Sequence, residues 1–142
     1  MSGRIFVPID AAALSVGAGR VAEAIAREAA KRGIAIEMVR NGTRGMLWLE
    51  PLVEVETPAG RVAYGPVASA DVAGLFDADF QSGGAHALSL GLTEEISYFK
   101  RQQRLTFARC GIVDPLSLDD YRAHGGWNGL EKALTLTGAE IV

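Results

Sequence analysis

The sequence predicts an α/β protein: a small mixed sheet flanked by helices, followed by a short helical segment. Three observations carry that expectation. The apolar run at residues 4–9 precedes a helical repeat that closes at Gly33, and the alternating stretch 35–40 follows. Strand, helix and strand in close succession imply a parallel pair joined by a right-handed crossover. Two short β-rich runs on either side of "TPAG" then read as a hairpin. A second, shorter helical pattern ends near Phe80.

Residues 4–9 are the first predicted strand. In the helix after it, Val21, Ile25 and Ala29 form an apolar stripe joined by Ala22 and Ala26, with Ser15 expected as N-cap. The opposite side carries Arg20, Glu23, Arg27 and Lys31, and Glu23–Arg27 and Glu28–Arg32 stand in the favourable i,i+4 order. Gly33 sits where a C-cap glycine belongs. Residues 52–56 and 61–64 pair about a turn punctuated by Pro58 and Gly60. Val72, Leu75, Phe76 and Phe80 then share one helical face, with Ser69 expected as its cap. The predicted order is β-α-β-β-β-α, with a helix on each side of the sheet.

Residues 81–95 read as a glycine-bearing connector. They divide a first domain, 1–80, from a segment at 96–142. In that segment Ser117 is expected to cap a short helix, with Asp120 at the capping-box position. Gly125 and Gly126 break it, and Leu130, Ala133 and Leu134 mark another helix. Two such helices bury little apolar surface alone and need something to pack against.

Composition narrows the function classes. The 142 residues are 49% hydrophobic and 22% charged, enough for one ordinary domain or a small domain with an appendage. A net charge of −3 suits a soluble cytoplasmic protein and gives no general attraction to nucleic acid or anionic membrane. No apolar run approaches the roughly 18 residues of a membrane span, and "MSGRIFVPID" lacks the long apolar segment of a secretory signal. Cys110 is the only cysteine, which excludes an internal disulfide and a cysteine-ligated cluster. It is expected to be a small buried hydrophobe, with no nucleophilic role.

Gly17-x-Gly19-x-x-Ala22, with Glu37 twenty residues beyond Gly17, matches a dinucleotide-binding fingerprint by spacing. Its context is wrong. A phosphate-binding glycine ends its strand, whereas residues 10–16 separate this one from Gly17, and Glu37 lies mid-strand. The glycines are expected to serve a close helix start instead. Tyr98, Phe99, Lys100, Arg101, Arg104, Phe107 and Arg109 interleave aromatics with cations, but irregularly, over a short run and in an acidic chain. The expected use is docking on an acidic surface or on the rest of a larger domain, not nucleic acid. The acid pairs Asp77/Asp79, Glu94–Glu95 and Asp119–Asp120 read as solvated helix-start charges, and His86 and His124 have no ligand spacing. No catalytic, cofactor-binding or metal-ligating residue is assigned to this chain.

The stretch "NGTRGMLWLEPLVEVETPAGRVAYGPV" resembles the second half of a thioredoxin-like 2Fe–2S ferredoxin. Gly45 and Pro51 keep their places, but Thr43 and Leu47 stand at two cluster-cysteine positions, and Pro8 and Ala13 at the other two. The resemblance implies a thioredoxin-like shell without cluster ligands. Met46 and Trp48 are expected to fill the space a cluster would take. "RLTFARCGIVDPLSLDDYRAHGGWNGLEKAL" resembles the opening of the NADH- and FMN-binding flavoprotein subunit of complex I and its soluble relatives. Arg109, Gly111, Asp114, Pro115, Ser117, Asp120, Tyr121, Gly125, Gly126, Trp127 and Leu130 carry that likeness. Together the segments resemble the β subunit of cytoplasmic NAD-dependent, molybdenum-containing formate dehydrogenase. That resemblance implies a non-catalytic N-terminal docking part, with FMN, a 4Fe–4S cluster and the NAD site further along the parent subunit. It also implies two partners, a cysteine-rich 2Fe–2S ferredoxin-type subunit and the molybdenum-containing catalytic subunit. The alternatives are a stand-alone adaptor with a degenerate ferredoxin fold and, more weakly, a nucleotide binder through Gly17 and Gly19.

Overall fold

The computed structural model describes residues 3–142. Five strands form one mixed sheet in the order β2-β1-β3-β4-β5. They are β1 (Gly3–Phe6), β2 (Ile36–Val39), β3 (Val53–Thr57), β4 (Gly60–Tyr64) and β5 (Ser89–Leu92). β1 and β2 run parallel with Ile5 opposite Met38, and the other neighbours are antiparallel. The crossover between the parallel strands holds α1 (Ala11–Ser15) and α2 (Ala18–Arg32). Gly33 ends α2 at φ 67°, donating its N–H to the Ala29 and Ala30 carbonyls, as the C-cap pattern requires. Among the described residues no helix is long and apolar enough to cross a membrane.

Pleating gives the sheet two differently covered faces. Ile5, Val53, Val55 and Tyr64 turn toward α2 and α3 (Val72–Asp77), closing the main core with Ile25, Leu75 and Phe80. Both helices therefore pack on one face, where one on each side was expected. Phe6, Glu54 and Ala63 stand in register on the other face. A smaller core of Met46, Leu52, Ala63 and Phe99 covers that side, with Phe99 supplied by α4 (Ser97–Lys100).

Two expected caps are replaced. Asp10 caps α1, its Oδ1 accepting from the Ala12 and Ala13 N–H groups, so helix begins well before Ser15. Ser15 instead donates to the Ala12 carbonyl at 2.7 Å, and Gly17 at φ 105° starts α2 without a side-chain cap. Ser69 caps nothing either: Asp71 precedes α3 and accepts from the Ala68 N–H. Within the expected connector 81–95 lies β5, the edge strand paired with β4 across a register shift at Ala63/Tyr64. Leu88 packs on the main core and Leu90 on the smaller one, which ties this segment to both faces.

Beyond α4 come α5 (Leu118–Ala123), α6 (Asn128–Ala133) and α7 (Gly138–Ile141). Ser117 caps α5 by accepting from the Asp120 N–H, and Gly125 at φ 73° separates α5 from α6. The capping box is not completed, because the short Asp120 side chain reaches the Asp114 N–H instead.

Candidate functional site

The C-terminal ends of β1 and β2 feed two adjacent loops, 7–10 and 40–50. The Ile9 N–H donates to the Asn41 carbonyl at 2.8 Å, and Arg40 donates to the Val7 and Pro8 carbonyls. These loops carry three of the four positions that the ferredoxin resemblance assigns to cluster ligands, Pro8, Thr43 and Leu47, and the fourth, Ala13, lies in α1 directly after the first loop. Pro8 and Ala13 are buried. Thr43 donates its hydroxyl to Glu50 at 2.6 Å and accepts from the Gly45 N–H. Leu47 is exposed. No thiolate stands at any of the four, and the one hydroxyl is already committed, so these residues do not fit an iron–sulfur cluster.

Met46, 1% exposed, fills the smaller core as expected, but Trp48 does not. It is 63% exposed, turned outward by the 3-10 turn Leu47–Leu49, and meets Tyr98 edge-on at 5.2 Å. The interior beside it is already taken by Met46 and by an ion-pair network the sequence reading missed. Arg44 donates two hydrogen bonds to Glu54, at 2.9 and 3.2 Å, and a third to Glu94 at 3.0 Å. Arg61 stands 3.7 Å from the same Glu54 carboxylate and lies 3.4 Å over the Phe6 ring. Burial works against the Arg44 charge, but Glu54 and Glu94 outweigh it and its pKa stands above the ordinary value. For Arg61 burial dominates, Glu54 only partly offsets it, and the pKa stands below. Burial also raises the Glu50 carboxyl above its usual range, against hydrogen bonds from Thr43 and Leu52.

The same network straps the C-terminal segment to the sheet. Arg61 donates to the Gly111 and Ile112 carbonyls at 2.9 and 2.7 Å, and Asn41 donates to Gly111 at 2.7 Å. Gly111 holds φ 76° and is needed, since a Cβ there would lie 2.4 Å from the Arg44 Cδ. Farther along, Arg109 donates to the His124 and Gly125 carbonyls, and Tyr121 meets Trp127 edge-on at 5.4 Å. A Cβ on Gly126 would strike the Tyr121 ring at 2.3 Å. The residues that carry the flavoprotein resemblance thus build a local framework around α5 and α6.

Gly17 lies between α1 and α2, away from the end of β1, and Glu37 accepts from Arg4 at 3.1 Å. A Cβ on Gly19 would meet only Leu14, at an ordinary 3.7 Å, so that glycine serves no close approach. Asp77 pairs with Arg32, Glu94 with Arg44 and Glu95 with Lys100. Cys110 is exposed, correcting its expected burial. The strap carries it on a surface turn, between Arg109 and the anchored Gly111.

Comparison with known proteins bears on the shell first. A thioredoxin-like [2Fe–2S] ferredoxin from Aquifex aeolicus superposes with a TM-score of 0.52 over 63% of this chain and 97% of its own, at 19% identity. A second structure of such a ferredoxin from the same organism gives 0.55 over 68% and 96%, at 17% identity. The fold is thioredoxin-like. A stretch of 43 residues, 30% of the chain, is 51% identical to the NADP-reducing hydrogenase subunit HndC of Solidesulfovibrio fructosivorans. The match spans only 9% of that protein's length. No family model matches the chain.

Proposed function

We propose that this chain is the non-catalytic docking portion of an NADH- and FMN-linked electron-transfer subunit whose parent complex oxidises formate and reduces NAD. The observation that carries the reading is a thioredoxin-like shell without thiolate donors, strapped to helices whose apolar side chains face solvent. Leu116, Leu118, Leu130 and Leu134 are all more than half exposed. They are the surface a larger flavin domain would cover. The identity shared with a hydrogenase subunit supports membership in a multisubunit oxidoreductase. In this reading FMN, the 4Fe–4S cluster and the NAD site lie on other segments of the parent subunit. The chain acts by geometry: the Gly111 strap holds the shell and the helical segment at one separation. A cysteine-rich 2Fe–2S ferredoxin-type subunit and a molybdenum-containing catalytic subunit are its partners, in the cytoplasm.

The test is purification of the native assembly through this polypeptide, with intact mass, peptide mapping, flavin and molybdenum content, and NAD reduction assayed with formate and with hydrogen. Flavin, molybdenum and formate-dependent NAD reduction are expected. Hydrogen as the electron donor is the second reading, favoured by the hydrogenase match. A polypeptide that carries no flavin and accompanies no redox subunit would leave a stand-alone adaptor.

A further inference from the structure

Beside the loop 40–50 the surface opens into a groove of about 680 Å³. Gly45, Tyr98, Leu105, Phe107 and Cys110 line it, together with Arg104. Leu105 is 92% exposed and Phe107 65%, and Trp48 meets Tyr98 edge-on beside the groove. A volume within the range of roughly 300–1,000 Å³ typical of ligand sites takes a large side chain with its backbone.

The charge on residues 96–113, which supply most of the groove's lining, is of one sign. Residues 96–113 hold Lys100, Arg101, Arg104 and Arg109 and no carboxylate, in a chain whose net charge is −3. Lys100 pairs with Glu95. The other three make no ion pair among the described residues: Arg101 donates to the Ser97 carbonyl, Arg104 to Gln102 and the Arg44 carbonyl, and Arg109 to His124 and Gly125. The Arg104 guanidinium thus lines an apolar groove without a carboxylate partner, on a segment that carries three further cations and no acid. We propose that the groove docks an acidic protein surface that inserts one aromatic or aliphatic side chain beside Tyr98 and Phe107. A nucleic acid fits less well, because an extended polyanion would run from this patch onto a chain whose remaining residues hold ten cations against seventeen carboxylates. An acidic protein patch ends where the cations end.

The inference rests on the docking role proposed above, but its test needs only this chain. A panel of short fluorescent peptides, with acidic flanks around a central Phe, Trp, Leu or Ala, is titrated against the full chain by polarisation. At least one apolar-centred peptide is expected to bind about fivefold or more tighter than the Ala peptide. Raising salt from about 50 to about 300 mM should weaken it at least threefold or so. Phe107→Ala and Arg101→Glu, both at exposed positions, should each weaken binding by about threefold or more with the melting temperature unchanged. The proposal fails if no peptide binds, if the Ala peptide binds as tightly as the others, or if an oligothymidylate of equal charge competes equally well. Peptide binding without a flavoprotein parent would keep the groove and discard the parent. A flavoprotein parent without peptide binding would discard the groove alone.

Discussion

Glu54 is the residue on which the second face of the sheet turns. Its side chain is 1% exposed and answers two guanidinium groups, Arg44 and Arg61. Breaking a buried pair from one side strands the remaining charge, so Glu54→Ala should cost about 3–5 kcal/mol, read by urea denaturation. A loss under about 1 kcal/mol would mean that water reaches the guanidinium groups once the carboxylate is gone. Glu50 makes a pH prediction with the opposite sign to that of a salt-bridged acid. Burial raises its pKa above the ordinary 4.5, so the folded state holds this proton more tightly than the unfolded chain. Its contribution is fully present below the ordinary carboxylate range and is lost as pH rises through the raised pKa. Glu50→Gln cannot titrate, so the stability of the native protein relative to this variant should fall as pH rises above the ordinary carboxylate value of 4.5. An unchanged difference in denaturation midpoint would refute the shift. Neither acid was legible in the sequence. Glu54 and Glu56 alternate as a solvated strand face would, and Glu56 is indeed exposed. Glu54 is enclosed by Arg44 and by Arg61, which itself holds a strap about fifty residues further on, a long-range arrangement that no local pattern records. Trp48 failed for a related reason: its hydrophobicity was visible, but the occupation of its space by Met46, Arg44 and Glu54 was not.

At the level of elements, what repeats locally was readable and what depends on distant cover was not. The stripe of α2, its glycine stop and the hairpin follow from periodicity and turn chemistry, and all are present. The fifth strand was hidden because Gly91, at φ 78°, and the nearby glycines 83 and 84 read as a connector. Only its pairing with β4 makes it a strand. The start of the crossover was misplaced because Ser15 was expected as the cap and the aspartate directly after the strand was not. Asp10, directly after the strand, takes the Ala12 and Ala13 N–H groups first, and the chain then breaks at Gly17 to begin α2. Asp10→Ala should therefore lower stability by about 1 kcal/mol, while Ser15→Ala changes it by less than about 0.5 kcal/mol. Thermal melts of the two variants check the order, and a larger effect at Ser15 would show that the cap is misassigned.

The molecule as a whole is a well-packed shell joined to a poorly packed tail by one strap. The shell buries Ile5, Ile25, Val53 and Tyr64 completely or nearly so, whereas the helices after Gly111 contribute no buried side chain of their own. Two substitutions in the same C-terminal segment should consequently behave in opposite ways. Leu130, half exposed, packs on nothing that a folded core needs, so Leu130→Asp should leave the melting temperature of the isolated chain within the effect of about 0.5 kcal/mol. Gly111 is anchored by Arg61 and Asn41 and has no room for a side chain against Arg44. Gly111→Ala adds both a strained left-handed alanine and a steric conflict, for a loss of about 1–3 kcal/mol. Its second signature is loosening of the strap: trypsin should cut at Arg109 several-fold faster than in the native chain, because that guanidinium's hold on His124 and Gly125 depends on the strap staying docked. In an assembly that covers the helices the sensitivities reverse, since Leu130→Asp then buries a charge while the strap is held from both sides. An isolated chain in which Leu130→Asp is the more damaging variant would show that the tail packs on its own shell, and the exposed leucines would no longer point to a partner.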